Sequence, residues 1–256
     1  MNQVIALKAF EDNYIWVIHN SKYCVFVDPG DAGAVQTFLA QNPALSPVAI
    51  LITHHHWDHT QGVTEIKKCF PAITVYGPAN SPFKAIDKPL IDGDTINIQA
   101  LQLTLDIWHT PGHTLDHIVY FNQQWLFCGD TLFSAGCGRM FEGTPELYSS
   151  SLNKLLTLPD NIKIYCTHEY TQANIRFAIS VEPTNQQLIQ YQYNVNQLRA
   201  QNKITLPTTL ALEKQINPFL RCNNHKLVEQ IRLQSKQPLQ NPIETFAALR
   251  ALKDKF

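Results

Sequence analysis

Four histidines and an aspartate crowd into the stretch Thr53-His54-His55-His56-Trp57-Asp58-His59, directly after an apolar run at 48–52. His54 and His56 are two apart, so an extended backbone turns both to the same side. Asp58 and His59 are adjacent and open the next helical pattern, which aims them elsewhere. Two pairs with diverging directions suit two neighbouring metal ions better than one. Imidazole and carboxylate together suit zinc, iron or manganese rather than calcium or magnesium. The competing reading is a polar loop whose histidines cap a helix. A lone histidine is usually of that kind, but this density of donors behind a buried-looking strand is not.

Further metal-type residues recur where other apolar runs end. His113 follows the turn residues Pro111 and Gly112, Asp130 closes the run Leu126-Phe127-Cys128-Gly129, and His168 closes Ile164-Tyr165-Cys166-Thr167. Each alone reads as a cap or a satisfied loop residue; together they point to one centre. His55, between the first ligands, is expected to point away from the metals. His109 and His117 are expected behind the ligands or in the core. Asp28, before Pro29 and Gly30, is either a turn former or a partner for a ligand histidine. Nothing near Cys137 marks it as an activated nucleophile.

The elements that must hold these residues are strands first and helices later. Apolar segments at 4–7, 14–18, 23–27, 48–52, 73–76, 101–108, 117–121, 125–128 and 162–166 read as strands, the fourth buried on both faces. Helical spacing runs over 31–41, 60–69 and 145–156. After Tyr170 strand signals vanish and polar amphipathic helices take over. One is expected over 184–202, with Thr184 and Gln187 as a capping box. Another is expected over 242–255, capped by Asn241 with Pro242 at its first position. The fold class is therefore α/β followed by a small all-α domain, with residues 1–170 and 171–256 as the expected division.

Lys and Arg number 20 against 21 Asp and Glu, for a formal net charge of -1 over 256 residues. That balance gives no overall basic field for nucleic acid or a membrane surface. The start shows no basic-then-apolar leader, no run is long enough to span a bilayer, and the six cysteines are scattered without a Cys-x-x-Cys pair. A reducing compartment, the cytoplasm, is expected.

The stretches 53–59, 110–114, 129–133, 135–139 and 167–171, with the opening 12–16 and the late segment 217–221, resemble the metallo-β-lactamase superfamily. Within it they resemble the hydroxyacylglutathione hydrolase (glyoxalase II) family, over essentially the whole chain. The resemblance implies an αββα sandwich followed by a helical glutathione-binding domain. It implies two divalent metal ions, zinc first with iron or manganese as alternatives. His54, His56 and His113 would hold one ion, Asp58, His59 and His168 the other, with Asp130 shared and with Asp58 and Asp130 as the catalytic carboxylates. The implied reaction is hydrolysis of S-D-lactoylglutathione to D-lactate and glutathione by hydroxide bound between the metals, the second step of methylglyoxal detoxification. The implied glutathione contacts are Arg139, Tyr170, Arg250 and Lys253, the last two close enough on one helix to meet one carboxylate. Two departures from the family pattern stand out: Arg139 where many relatives carry lysine, and Phe141 where some carry tyrosine. The alternatives are a lactonase, a glutathione persulfide dioxygenase, a nuclease of the same fold or a non-catalytic binding protein, and a monomer is expected.

Overall fold

A computed structural model describes residues 2–256; Met1 lies outside them. The chain divides into two compact units, Met1–His109 with Asp116–Gly129, and Thr110–Leu115 with Asp130–Phe256.

In the first unit, β1 (Gln3–Ala9), β2 (Asn13–His19), β3 (Tyr23–Val27), β4 (Ser46–Leu51), β5 (Thr74–Pro78) and β6 (Lys88–Leu90) form one sheet in that order. Pairing is antiparallel from β1 to β3 and parallel from β3 to β6. Parallel neighbours need a crossover: α1 (Ala32–Gln41) lies between β3 and β4 and α3 (Val63–Cys69) between β4 and β5, while a loop connects β5 to β6. Their Val35 and Ile66 pack in one cluster with Ile15, Val17, Phe26 and Ile50 of the sheet. The alternate residues Trp16, Val25, Val27 and Leu51 are buried as well, so the central strands are covered on both faces. A second antiparallel set consists of β7 (Thr95–Ile98), β8 (Leu103–His109), β9 (Ile118–Phe121) and β10 (Trp125–Gly129). It is tied to the end of β4: the Tyr120 hydroxyl donates to the Ile52 carbonyl at 2.9 Å and the Ile118 amide to that of Thr53 at 2.9 Å. Sheet against sheet, with helices outside, is the sandwich expected.

The second unit holds the short pair β11 (Leu132–Phe133) and β12 (Gly136–Cys137), helix α4 (Pro145–Leu155), and β13 (Lys163–Cys166) paired with β14 (Thr208–Thr209). Helices α5 (Thr171–Val181), α6 (Gln186–Ala200), α7 (Leu210–Ile216), α8 (His225–Ser235) and α9 (Pro242–Lys253) make the helical C-terminal region. Among the described residues no helix is long and apolar enough to cross a membrane.

Three local expectations are corrected. The helix expected over 60–69 is broken: α2 (Trp57–Thr60) ends before α3 begins. Thr60 Oγ1 bonds back to the His56 carbonyl at 2.9 Å, a side-chain bond that competes with helix propagation. Asn185, not Thr184, caps α6, accepting from the Leu188 amide at 3.2 Å; asparagine is the better cap and stands one residue later. A strand does occur after Tyr170, but β14 has only two residues, too few for alternation to show. The last helix starts as expected, with Asn241 accepting from the Glu244 amide at 3.0 Å and Pro242 in its first turn.

Candidate metal centre

In the first unit the donors sit just beyond the end of β4, and Asp28 organises them from the end of β3. Asp28 accepts from the Thr53 amide at 2.8 Å and from Thr53 Oγ1 at 2.7 Å. The same carboxylate lies 3.0 Å from His59 Nδ1. Thr53 Oγ1 in turn lies 3.0 Å from His54 Nδ1. Because the threonine proton goes to Asp28, the proton of the Thr53–His54 bond belongs to His54 Nδ1. A carboxylate only accepts, so His59 Nδ1 also carries its proton. Both rings are thereby left with an unprotonated Nε2, the form a metal needs. Asp28 is therefore a partner of His59, one of the expected donors; its φ of 50° shows that it also makes the turn.

The remaining donors of this unit are close by. His54 Nε2 and His56 Nδ1 are 3.1 Å apart, which brings together the pair that the spacing had put on one side. His59 Nε2 lies 3.5 Å from Asp58 Oδ2, and Asn13 Nδ2 donates to that oxygen at 3.0 Å. His55 turns to Asp116, 2.9 Å away. His117 is buried and stacks on the His54 ring at 4.7 Å. His109 ends β8, its amide donating to Asp92 at 2.7 Å.

In the second unit Asp130 Oδ2 lies 3.5 Å from His113 Nε2 and 3.4 Å from His168 Nε2, so one carboxylate oxygen faces two imidazoles. His113 Nδ1 donates to the Arg139 carbonyl at 2.7 Å, which again leaves Nε2 unprotonated. Room for this is made by glycine: a Cβ on Gly138 would stand 2.1 Å from the Asp130 carbonyl and 2.9 Å from His113 Nδ1. Each of the seven donors, His54, His56, Asp58, His59, His113, Asp130 and His168, falls in a cluster of three side chains, all histidine or histidine with aspartate, compact enough to hold a metal ion. Three imidazoles with fixed tautomers and a carboxylate between His113 and His168 fit transition-metal binding by their chemistry. Asp28→Asn would keep the size but set an amide against His59 Nδ1. It is expected to weaken metal binding roughly 10–100-fold with the fold intact. Chelator competition measures this, and wild-type affinity would show that Asp28 does not orient His59.

The residues expected to grip glutathione have different surroundings. Arg139 is exposed, with its guanidinium carbon 5.5 Å from the centre of the Phe141 ring. Tyr170 stacks on His168 at 4.6 Å, the planes 5° apart. Lys253 is half-buried against Phe177 at 5.1 Å, and burial, with the Arg250 charge added, lowers its pKa to about 8. Arg250 turns inward instead, 5% exposed, onto the carbonyls of Cys137 and Gly138. Cys137 is buried and burial pushes its thiol up, the opposite of an activated nucleophile. Sequence reasoning missed Thr53 and Asp116 as partners of histidines, since neither stands in a spacing that marks it.

Residues 10–168 match the metallo-beta-lactamase superfamily and residues 169–256 match the hydroxyacylglutathione hydrolase C-terminus. The hydroxyacylglutathione hydrolase of Nitrosomonas europaea is 47% identical, over 100% of this chain and 97% of its own length. That of Pseudoalteromonas translucida is 50% identical over 100% of both. Among solved structures, BLEG-1 B3 metallo-beta-lactamase has a TM-score of 0.64 at 26% identity, covering 86% of this chain and 100% of that one. ETHE1 from Myxococcus xanthus, at 23% identity, shares the fold with a TM-score of 0.66 over 99% and 98% of the two chains. The superfamily match across the candidate donors, the C-terminal match beyond them and the full-length relatives agree: the chain belongs to the hydroxyacylglutathione hydrolase family of the metallo-β-lactamase superfamily.

Proposed function

We propose that the protein is a metal-dependent thioesterase that hydrolyses S-D-lactoylglutathione to D-lactate and glutathione, the second step of methylglyoxal detoxification, acting as a cytoplasmic monomer. The observation that carries this reading is the end-to-end likeness to hydroxyacylglutathione hydrolases at 47–50% identity, with all the expected donors present. His54, His56 and His113 would hold one divalent ion and Asp58, His59 and His168 a second, with Asp130 common to both and zinc the first choice. Bound there, the ions supply a water ionised near neutral pH and positive charge for the oxygen of the reacting carbonyl.

The chain's own residues do the arranging. Thr53, Asp28 and the Arg139 carbonyl keep the protons of His54, His59 and His113 on Nδ1. Asn13 holds the Asp58 carboxylate through Oδ2. The leaving thiolate has a conjugate acid near the reference thiol pKa of about 8.5, so it departs without a proton donor. An amide would need one. Glutathione carries carboxylates, which Arg139, Arg250 and Lys253 suit as cations and Tyr170 as a hydrogen-bond donor. Residues 171–256 are proposed as the helical glutathione-binding domain, with Arg139 and Tyr170 contributing from outside it.

Lys253 gives the binding step a pH dependence. Its ammonium is present below a pKa of about 8 and is lost above it. KM is therefore expected to rise as pH climbs from 7 to 9, and Lys253→Arg to flatten that rise. A wild-type KM that is constant across the interval would remove Lys253 from the substrate site. The reaction itself is tested by offering purified protein S-D-lactoylglutathione, a lactone and glutathione persulfide with oxygen in parallel. Loss of the thioester alone is expected; turnover of either other substrate without thioester hydrolysis would overturn the assignment.

A further inference from the structure

We infer that Phe10 and Trp57 form an apolar wall beside the candidate metal donors that receives the substituent next to the reacting carbonyl, and so determine which acyl groups are preferred. This rests on the thioesterase reading proposed above.

The two rings meet edge to face, with centroids 5.2 Å apart and planes at 63°, an arrangement that aromatic pairs favour. Both remain open to solvent, Phe10 44% and Trp57 61% exposed. A single exposed aromatic calls for no explanation. This pair does, because Phe10 is held in place against the preference of its own backbone. It stands in the turn 10–12 between β1 and β2, where Ala9 pairs with Asn13, and its φ is 50°. That left-handed region suits glycine or asparagine, and a bulky side chain there is strained. Asparagine would make the same turn at less cost, so the turn does not account for phenylalanine; the ring does. Backbone strain of this kind collects at functional sites.

The pair borders the donors from two directions. Trp57 stands in the chain between His56 and Asp58. Phe10 arrives from the hairpin, and Gly30 lies beneath both it and Asp58. A Cβ on Gly30 would stand 1.8 Å from the Asp58 carbonyl oxygen and 3.0 Å from Phe10 Cε2. Asn13, at the far end of the same turn, donates to Asp58 Oδ2 at 3.0 Å. One short hairpin therefore holds the Asp58 carboxylate with Asn13 and sets an apolar ring beside the Asp58 backbone with Phe10. A carbonyl attacked at the centre must lie against the donors, and the group one bond away from it then lies against what borders them. Two aromatic rings favour a methyl or phenyl group there over a charged one, whose lost hydration they cannot replace.

The test uses two thioesters that differ only in this group. S-D-lactoylglutathione carries a methyl and S-D-mandeloylglutathione a phenyl on the same hydroxyl-bearing carbon. Their kcat/KM values are measured on zinc-loaded wild type, Phe10→Asn, Trp57→Gln and Trp57→Phe, with the zinc content of each sample. Phe10→Asn removes the ring but accepts the left-handed turn, and Trp57→Gln is well tolerated at an exposed helical position. In both variants the mandeloyl-to-lactoyl ratio is expected to fall about three- to tenfold, the range that one aromatic contact supplies. Trp57→Phe should restore most of it. Altered metal binding changes both rates together and cancels from the ratio, so a merely structural role would leave the ratio where it was. A wild-type ratio in either Phe10→Asn or Trp57→Gln, or a wild-type protein that cleaves only the lactoyl ester, would overturn the inference. A zinc-loaded wild type that cleaves neither ester would instead overturn the proposed function.

Discussion

Asp130→Ala is expected to lower kcat/KM by about 10³-fold and to reduce the metal content of the purified protein. One oxygen of this side chain faces both His113 Nε2 and His168 Nε2, at 3.5 and 3.4 Å, so removing it takes the shared anion from between two donors. Metal charge stabilises a hydrolytic transition state by several kcal/mol, and each 1.36 kcal/mol lost is about tenfold in rate. The backbone around the position is secured independently. Tyr148 donates to the Asp130 carbonyl at 3.1 Å, and Gly129 accepts a φ of 48° where a Cβ would strike Thr53 Oγ1 at 2.4 Å. The variant should therefore keep its fold, and circular dichroism beside metal analysis separates loss of ions from loss of structure. A metal-replete variant of unchanged activity would take Asp130 out of the centre.

Glu213→Ala should cost stability on a comparable scale. Its buried carboxylate accepts from Ser134 Oγ at 2.8 Å, the Ala135 amide at 2.8 Å, Thr208 Oγ1 at 2.7 Å and Asn217 Nδ2 at 3.0 Å. Each buried donor left without a partner costs about 1–3 kcal/mol, so the total is roughly 3–5 kcal/mol after partial rearrangement. For a chain of this length that is on the order of 10 °C in Tm. Glutamine is expected to cost less, because its carbonyl oxygen can take the two amides on the Oε2 side while its NH₂ faces the Ser134 and Thr208 hydroxyls, which can accept. A melting temperature within about 2 °C of wild type would mean that this network is not what holds the 134–136 loop.

The candidate donors that the structure groups together were legible in the sequence because each stands at or just beyond the end of an apolar strand run, and strand runs show in their residue types. His54 and His56 could be paired from spacing alone, and Asp58 with His59 from the helix start that follows. The groups that orient them were legible only in part: Asp28 could be read as a possible histidine partner, but not which histidine it serves. Asp28 serves His59 and the Arg139 carbonyl serves His113 across long stretches of chain, and a backbone carbonyl has no sequence signature at all. Arg250 shows the same limit. Its distance from Lys253 places both on one side of α9, but whether that side faces solvent or Phe219 depends on packing elsewhere. The break between α2 and α3 was hidden because Thr60 reads as an ordinary helical residue until its hydroxyl turns back to the His56 carbonyl.

The most direct measurement is a metal titration of chelator-stripped protein with hydrolysis of S-D-lactoylglutathione as the readout. Activity is expected to be absent in the stripped protein, to appear as zinc is added and to level off at two equivalents per chain, matching the metal content found by elemental analysis. Full thioester turnover in the stripped protein would contradict the account.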